Sequence, residues 1–258
     1  MRAGAGGRGW VTAAPGRRLS EHVSDSGSYS TLAPVPAAAV TPTTSPKRRV
    51  PRQERSRRRV EDLLDAAARL VVEHGVEALT TREIAEAAGV PVASLYQYFA
   101  DKEDVMLALA QRDMAEMDAQ VAEDLAAVEV LSVATLVRTT MRAFVSVYHR
   151  RPAFVEIYLR GRTNLAVHRF GRQHNARIAE TLQGFAIDAG LARADLPRSA
   201  ALLAVEVGDR VFQLAFEESR DGDQALVEEG IAMVTAYLER YATPAGLTGP
   251  SGSTQESR

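Results

Sequence analysis

The segment from Leu79 to Lys102, LTTREIAEAAGVPVASLYQYFADK, leaves few folds open to this chain. It reads as a short amphipathic helix, a sharp turn at Gly89 and a second short helix running roughly from Pro91 to Phe99. Thr80 is placed to cap the first helix, with Glu83 three residues on reaching back to complete a capping box. Ile84, Ala85, Ala87 and Ala88 give a face flat enough for close approach by another helix. Gly89 permits the positive φ that a sharp turn needs. Leu95 and Phe99 are expected to point inward, leaving Val92, Ala93, Ser94, Gln97 and Tyr98 outward. Helices this short do not form alone, because nucleation outweighs the few hydrogen bonds gained. They require a third helix to pack on, and the assembly is a helix-turn-helix shaped to enter the major groove of DNA.

The preceding segment supplies that third helix. Val60, Leu63, Leu64, Ala67, Leu70 and Val71 recur at three- and four-residue intervals, which predicts an amphipathic helix over 60–73 closed by His74 and Gly75. With helix one, TTREIAEAAGV, ASLYQYF and DKEDVMLAL in place, the stretch from Arg52 to about Leu109 resembles the N-terminal DNA-binding domain of the TetR family of transcription regulators. Beyond about residue 130 the resemblance is architectural only. It implies a helix-turn-helix domain over 51–109 and a helical effector-binding and dimerisation domain over 110–242. No segment alternates with a period of two, so the chain reads as all-α, and the aperiodic segment 1–50, rich in Gly, Ala, Ser, Thr and Pro, and the tail 243–258 are expected to be disordered.

Charge is distributed in keeping with that reading. The 258 residues sum to a formal charge of -2, with 46% hydrophobic residues, enough to bury a sizeable core. Residues 47–59 hold eight basic residues against one acidic, net +7, whereas 60–105 hold three against ten, net -7. The basic run Lys47, Arg48, Arg49, Arg52, Arg55, Arg57, Arg58 and Arg59 is read as an arm for phosphates or the minor groove. With no cysteine, disulfides, thiolate metal sites and a cysteine nucleophile are excluded. No apolar run approaches the ~20 residues needed to span a bilayer. Arg17 and Arg18 lack the apolar segment of an export signal, so a cytoplasmic location is expected. Gly4, Gly6 and Gly9 match GxGxxG spacing, but neither a strand nor a helical pattern accompanies them.

The resemblance places Thr81 and Arg82 near the DNA backbone or a neighbouring base. Arg82 is either a guanine reader or a surface residue beside Glu83 and Glu86. Gln97 can pair with adenine N6 and N7, while Val92 and Ala93 can make only apolar contacts and Ser94 is a further outward polar group. Tyr96 and Tyr98 match positions that touch phosphates, although one of them can equally be packing. Lys102 matches a backbone-gripping lysine, and its place at a helix start has no helix-dipole rationale. Arg52, Arg55, Arg58 and these residues form the expected DNA-binding set.

Asp101 is expected to cap a long fourth helix with the stripe Met106, Ala110, Met114, Met117, Val121, Leu125 and Val128. Further helices are predicted over 132–148, from Pro152, and over 173–189, 197–218 and 223–241. The last two carry more apolar surface than one face needs: Leu202, Leu203, Val205, Val207, Val211, Phe212, Leu214 and Phe216, then Leu226, Ile231, Val234, Tyr237 and Leu238. A homodimer through a four-helix bundle, reading a palindromic operator, is what the resemblance implies; a monomeric core is the alternative. Phe144, Tyr148, Phe154, Tyr158, Phe185 and Phe212 are the candidates to line a pocket for an unidentified small-molecule effector. Phe170 is a further aromatic in this region, and any helical core shows the same spacing. The basic residues between His149 and Arg177, opposed only by Glu156, form either an anion-attracting patch or a solvated face. His168 and His174 are spaced wrongly for two ligands on one helix face, so neither metal nor cofactor is assigned. No acid/base pair, nucleophile triad or phosphate loop supports an enzyme. The reading is a repressor released from DNA by a small molecule, with a helix-turn-helix regulator lacking an effector, acting constitutively or through a protein partner, as the alternative.

Overall fold

The computed structural model describes residues 52–161 and 164–248, with side chains from Glu54 onward. Among the described residues ten helices run in order: α1 (Arg52–His74), α2 (Thr81–Ala87), α3 (Val92–Leu95), α4 (Lys102–Ala126), α5 (Val133–Arg150), α6 (Pro152–Phe154), α7 (Leu165–Asp188), α8 (Arg198–Ala215), α9 (Gln224–Glu239) and α10 (Pro244–Leu247). A π-helical turn, Val155–Leu159, continues α6. There is no strand among the described residues, only one isolated bridge between Ala192 and Ala242. No helix among them is long and apolar enough to cross a membrane.

The boundaries follow from the caps. Thr80 accepts from the Glu83 amide while the Glu83 carboxylate accepts from the Thr80 amide. Asp101 accepts from the Asp104 amide to start α4, and Ser132 forms a second capping box with Thr135 to start α5. Gly75, Gly89, Gly190 and Gly222 all have positive φ and mark turns between helices. Two helices begin elsewhere than the spacing predicts, one is not predicted at all, and α3, expected to reach Phe99, ends at Leu95. α1 starts at Arg52, eight residues before Val60, because arginine is a good helix former and Arg58 pairs with Glu54 one turn back at 2.8 Å. α7 starts at Leu165, capped by Asn164, whereas its periodicity was expected only from Gln173. The expected loose tail includes α10, where Thr243 accepts from the Gly246 amide and donates to Gly190 O. The extension 1–50, with Lys47, Arg48, Arg49 and Trp10, lies outside the described residues.

α1, α2 and α3 make a small head whose core is Leu63, Leu64, Ala67, Val71, Ile84, Ala85 and Leu95. α4 runs from the head into the second half, where α5, α7, α8 and α9 pack side by side. Polar contacts hold the head in place. Arg112 of α4 reaches Asp65 at 2.7 Å and Glu61 at 3.3 Å on α1. Arg220, from the turn between α8 and α9, donates to Val72 O of α1 at 3.1 Å and to Glu156 at 2.6 Å. Asp113 is buried beneath Arg112 and Arg151, yet burial pushes its carboxyl up to about 6.

Candidate nucleic-acid interface and internal cavity

α3 displays the groups that a duplex can meet. Leu95 is fully buried and Phe99 nearly so, which turns the opposite side of the helix outward. Ala93, Tyr96 and Gln97 are exposed, and Tyr96 is among the most exposed large side chains described. Its hydroxyl lies 3.0 Å from Thr81 Oγ1, which joins the start of α2 to the end of α3. Arg82 is exposed.

Three outward expectations, Val92, Ser94 and Tyr98, are corrected. Val92 is half-buried against the head core, because the residue after Pro91 begins the helix close to α2. Tyr98 is likewise half-buried, and its hydroxyl accepts from Ser56 of α1 at 3.2 Å, so of the two tyrosines it is the packing one. Ser94 is half-buried. Lys102 donates to Glu77 O at 3.4 Å, which supplies the structural reason that its sequence position lacks. The basic run is helical from Arg52, so Arg55, Arg57, Arg58 and Arg59 project as exposed side chains from the first turns of α1 and not from an extended arm. The side chain of Arg52 lies outside those described.

In the second half a cavity of about 100 Å³ lies among α5, α7, α8 and α9. Leu136, Val137, Met141, Leu182, Phe212 and Val234 make most of its wall, with Thr140, Asn175, Gln183 and Asp209 as the polar lining residues. Of the six aromatic candidates, Phe144 and Phe212 line it. Tyr148, Phe154 and Tyr158 do not. They stack in sequence, with ring centroids 5.9 and 5.2 Å apart, and Tyr148 packs edge-on to Phe212 and Phe216 at 5.3 Å each. The π turn causes this, since its wider winding carries Tyr158 toward α7, where Gly171 leaves no Cβ to meet the ring. Phe185 packs on the core away from the cavity.

Thr140 and Asp209 were not among the residues assigned to a pocket from the sequence. Thr140 is 8% exposed, and its Oγ1 is a buried side-chain polar atom with no hydrogen-bond partner. Asp209 accepts from Gln213 at 2.8 Å and is hydrogen-bonded by Tyr158. Burial first, and then repulsion from Glu206, raises its carboxyl from the ordinary 3.8 to about 6. As pH rises, the unfolded chain loses this proton before the folded one does, so Asp209 lowers stability progressively between the two values and the cost persists above the higher one. Asp209→Asn cannot ionise. Thermal unfolding is therefore expected to show the variant gaining roughly 2–3 kcal/mol on the wild type between about pH 4 and pH 7. A difference that stays flat with pH would contradict the raised value.

Part of the basic patch expected between His149 and Arg177 is met by acids, from α4 and from Glu156 within the run itself. Arg150 and Arg151 pair with Glu116 of α4 at 3.2 and 2.7 Å, Arg160 pairs with Glu156, and His174 meets Asp118 at 3.0 Å. Among the described residues no cluster of three or more potential ligands could hold a metal ion.

A model described as bacterial regulatory proteins of the tetR family matches residues 63–109, and one described as the tetracyclin repressor-like C-terminal domain matches 132–238. The HTH-type transcriptional repressor AcnR of Corynebacterium diphtheriae is 40% identical over 66 residues, 26% of this chain and 35% of that protein. The HTH-type transcriptional repressor KstR2 of Rhodococcus jostii is 50% identical over 52 residues, 20% of this chain and 25% of that one. The chain thus spans about a third or less of the length of these curated relatives. A TetR-family transcriptional regulator from Streptomyces coelicolor has a similar structure, with a TM-score of 0.59 and 32% identity over 71% of this chain and 99% of that one. FadR of Bacillus subtilis, in complex with stearoyl-CoA, shares the fold at a TM-score of 0.56 and 18% identity, over 69% and 97% of the two chains.

Proposed function

We propose, since the chain belongs to the TetR family of transcriptional regulators and is a DNA-binding regulator and not an enzyme, that it acts in the cytoplasm as a homodimeric repressor on a palindromic operator and leaves it when a small molecule binds. The observation that carries the DNA-binding half is the head itself. A buried Leu95 and a capping box at Thr80 lock α3 so that Ala93, Tyr96 and Gln97 face outward. Arg55, Arg58, Thr81, Arg82 and Lys102 flank that surface and are assigned to phosphates or adjacent bases, together with Arg52 and Ser94. Tyr98 and Val92 act mainly by holding α3 in place.

The dimer is assigned to α8 and α9 on the strength of side chains that the chain's own core does not use. Phe212, Phe216, Ile231 and Val234 are buried within the chain. Leu202, Leu203, Leu214, Leu226 and Met233 are not. Leu203 and Leu214 lie three turns apart on one side of α8, with Arg210 between them, as Leu226 and Met233 lie two turns apart on α9, so each helix offers exposed apolar side chains on one side to a two-fold partner. The functional division near residue 109 falls inside α4, a single helix shared by the head and the second half.

Ligand release is supported by the cavity and by the contacts of Arg112 and Arg220, which tie α1 to α4 and to the α8–α9 turn. A ligand acts on DNA binding only through its differential affinity for two arrangements of these helices. At about 100 Å³ the cavity is smaller than the several hundred usual for drug-sized ligands, which favours a small effector or opening of the walls. The stearoyl-CoA of FadR is not carried over, since that likeness reaches the fold alone.

Gel shifts with DNA flanking the chain's own gene test the reading. Wild-type protein is expected to shift one palindromic fragment. Lys102→Ala is expected to weaken binding to all sequences and to lower the salt slope by about one per contact, whereas Gln97→Ala changes preference at particular base pairs. Absence of any shift at low salt refutes DNA binding there. Equal losses on specific and random DNA for both variants refute the division of roles.

A further inference from the structure

The cavity among α5, α7, α8 and α9 has a chemistry that narrows what can enter it, and the inference rests on the ligand-responsive reading above. We propose that the cavity takes a compact, uncharged, mainly hydrocarbon molecule bearing one hydroxyl or carbonyl group, which pairs with Thr140, and that Asp209 turns carboxylates and phosphates away.

Size and walls set the first requirement. Dry apolar cavities of ~150 Å³ take up a ring the size of benzene, so about 100 Å³ admits a five-carbon ring or a short branched chain with little movement of Met141 and Leu182. Leu136, Val137, Phe212 and Val234 offer no polar atom to such a guest. Thr140 sets the second. Thr140 is one of the lining residues, and its buried hydroxyl has no partner, although nearly all buried polar side-chain atoms in folded proteins have one. A hydroxyl can donate or accept, so an alcohol and a ketone both satisfy it.

Charge sets the third. Asp209 also lines the cavity, and Glu206 stands one turn before it on α8, hydrogen-bonded by Asn175 at 3.5 Å. No arginine, lysine or histidine is among the lining residues. An anion entering here would be desolvated by the hydrocarbon walls and repelled by Asp209, with no cation to offset either cost.

The experiment uses the full-length protein and three probes of one shape: cyclopentanol, cyclopentane and cyclopentanecarboxylate, titrated by calorimetry with thermal shift as a second readout. Wild-type protein is expected to bind cyclopentanol about five- to thirtyfold more tightly than cyclopentane, and the carboxylate least. Thr140→Val keeps the shape and removes the unpartnered hydroxyl, so it should fold at least as well. It is expected to erase the advantage of the alcohol while leaving cyclopentane affinity in place, and Thr140→Ser is expected to retain it. Asp209→Asn is expected to narrow the gap between alcohol and carboxylate. The proposal fails if the carboxylate matches the alcohol on wild-type protein, or if Thr140→Val keeps the preference. An unchanged gap in Asp209→Asn overturns the role given to that residue. If no probe binds while the protein still shifts its operator, the cavity is not a site and the regulator reading stands; if no DNA is shifted, that reading falls whatever the probes do.

Discussion

Leu203→Glu is expected to convert the protein to a monomer and to reduce operator binding by at least about a hundredfold. Leu203 is 50% exposed in the single chain, in the second turn of α8, with Leu202 beside it and Leu214 three turns on. If this stripe meets its two-fold mate, each substitution places a carboxylate in an apolar interface, and symmetry places two of them there. Burying an unpaired ionised group costs roughly 3 kcal/mol or more, and two of them about 6, so the dimer dissociation constant should rise on the order of ten-thousandfold. In the isolated chain the same substitution touches mostly solvent, so helicity and thermal stability of the monomer should change little. Sedimentation equilibrium separates the cases. A variant that remains dimeric, or a wild-type protein that is already monomeric, removes the α8–α9 interface from the account.

Leu95→Ala is expected to abolish detectable DNA binding while leaving the dimer intact. Leu95 has no exposed surface and is the one fully buried side chain of the four-residue α3. Truncating a buried leucine costs about 2–5 kcal/mol, a large part of the margin that holds a small domain. Neither α2 nor α3 is long enough to persist once that packing is lost. The second half does not depend on Leu95, since α5, α7, α8 and α9 pack on one another. Amide exchange should show residues 81–99 opening while α8 and α9 stay protected. Wild-type affinity for the operator in this variant would mean that α3 does not present the reading surface.

The head was legible because its signals are local. A capping box, a glycine at positive φ and an apolar stripe each span only a few residues, and Thr80, Gly89 and the Leu63–Val71 stripe stand in the structure as their spacing predicts. Side-chain direction at its margins was less legible. Whether Tyr98 faces solvent depends on Ser56, 42 residues away, and no local pattern contains that distance.

Residue types and their intervals alone determined the all-α class, most helix boundaries and the DNA-reading head, since hydrophobic periodicity and caps act within one or two turns. The tertiary structure alone decided the rest. It separated Phe212 and Phe216, which fill the chain's own core, from Leu203 and Leu214, which do not, although all four fall within one apolar-rich stretch of sequence. It brought Glu116 and Asp118 of α4 against a run that looks uniformly basic along the chain. It left Thr140 without a partner in the wall of a void that the half-buried Asp209 also lines, an arrangement set by how α5 and α8 pack, and voids belong to packing between helices and not to any one of them.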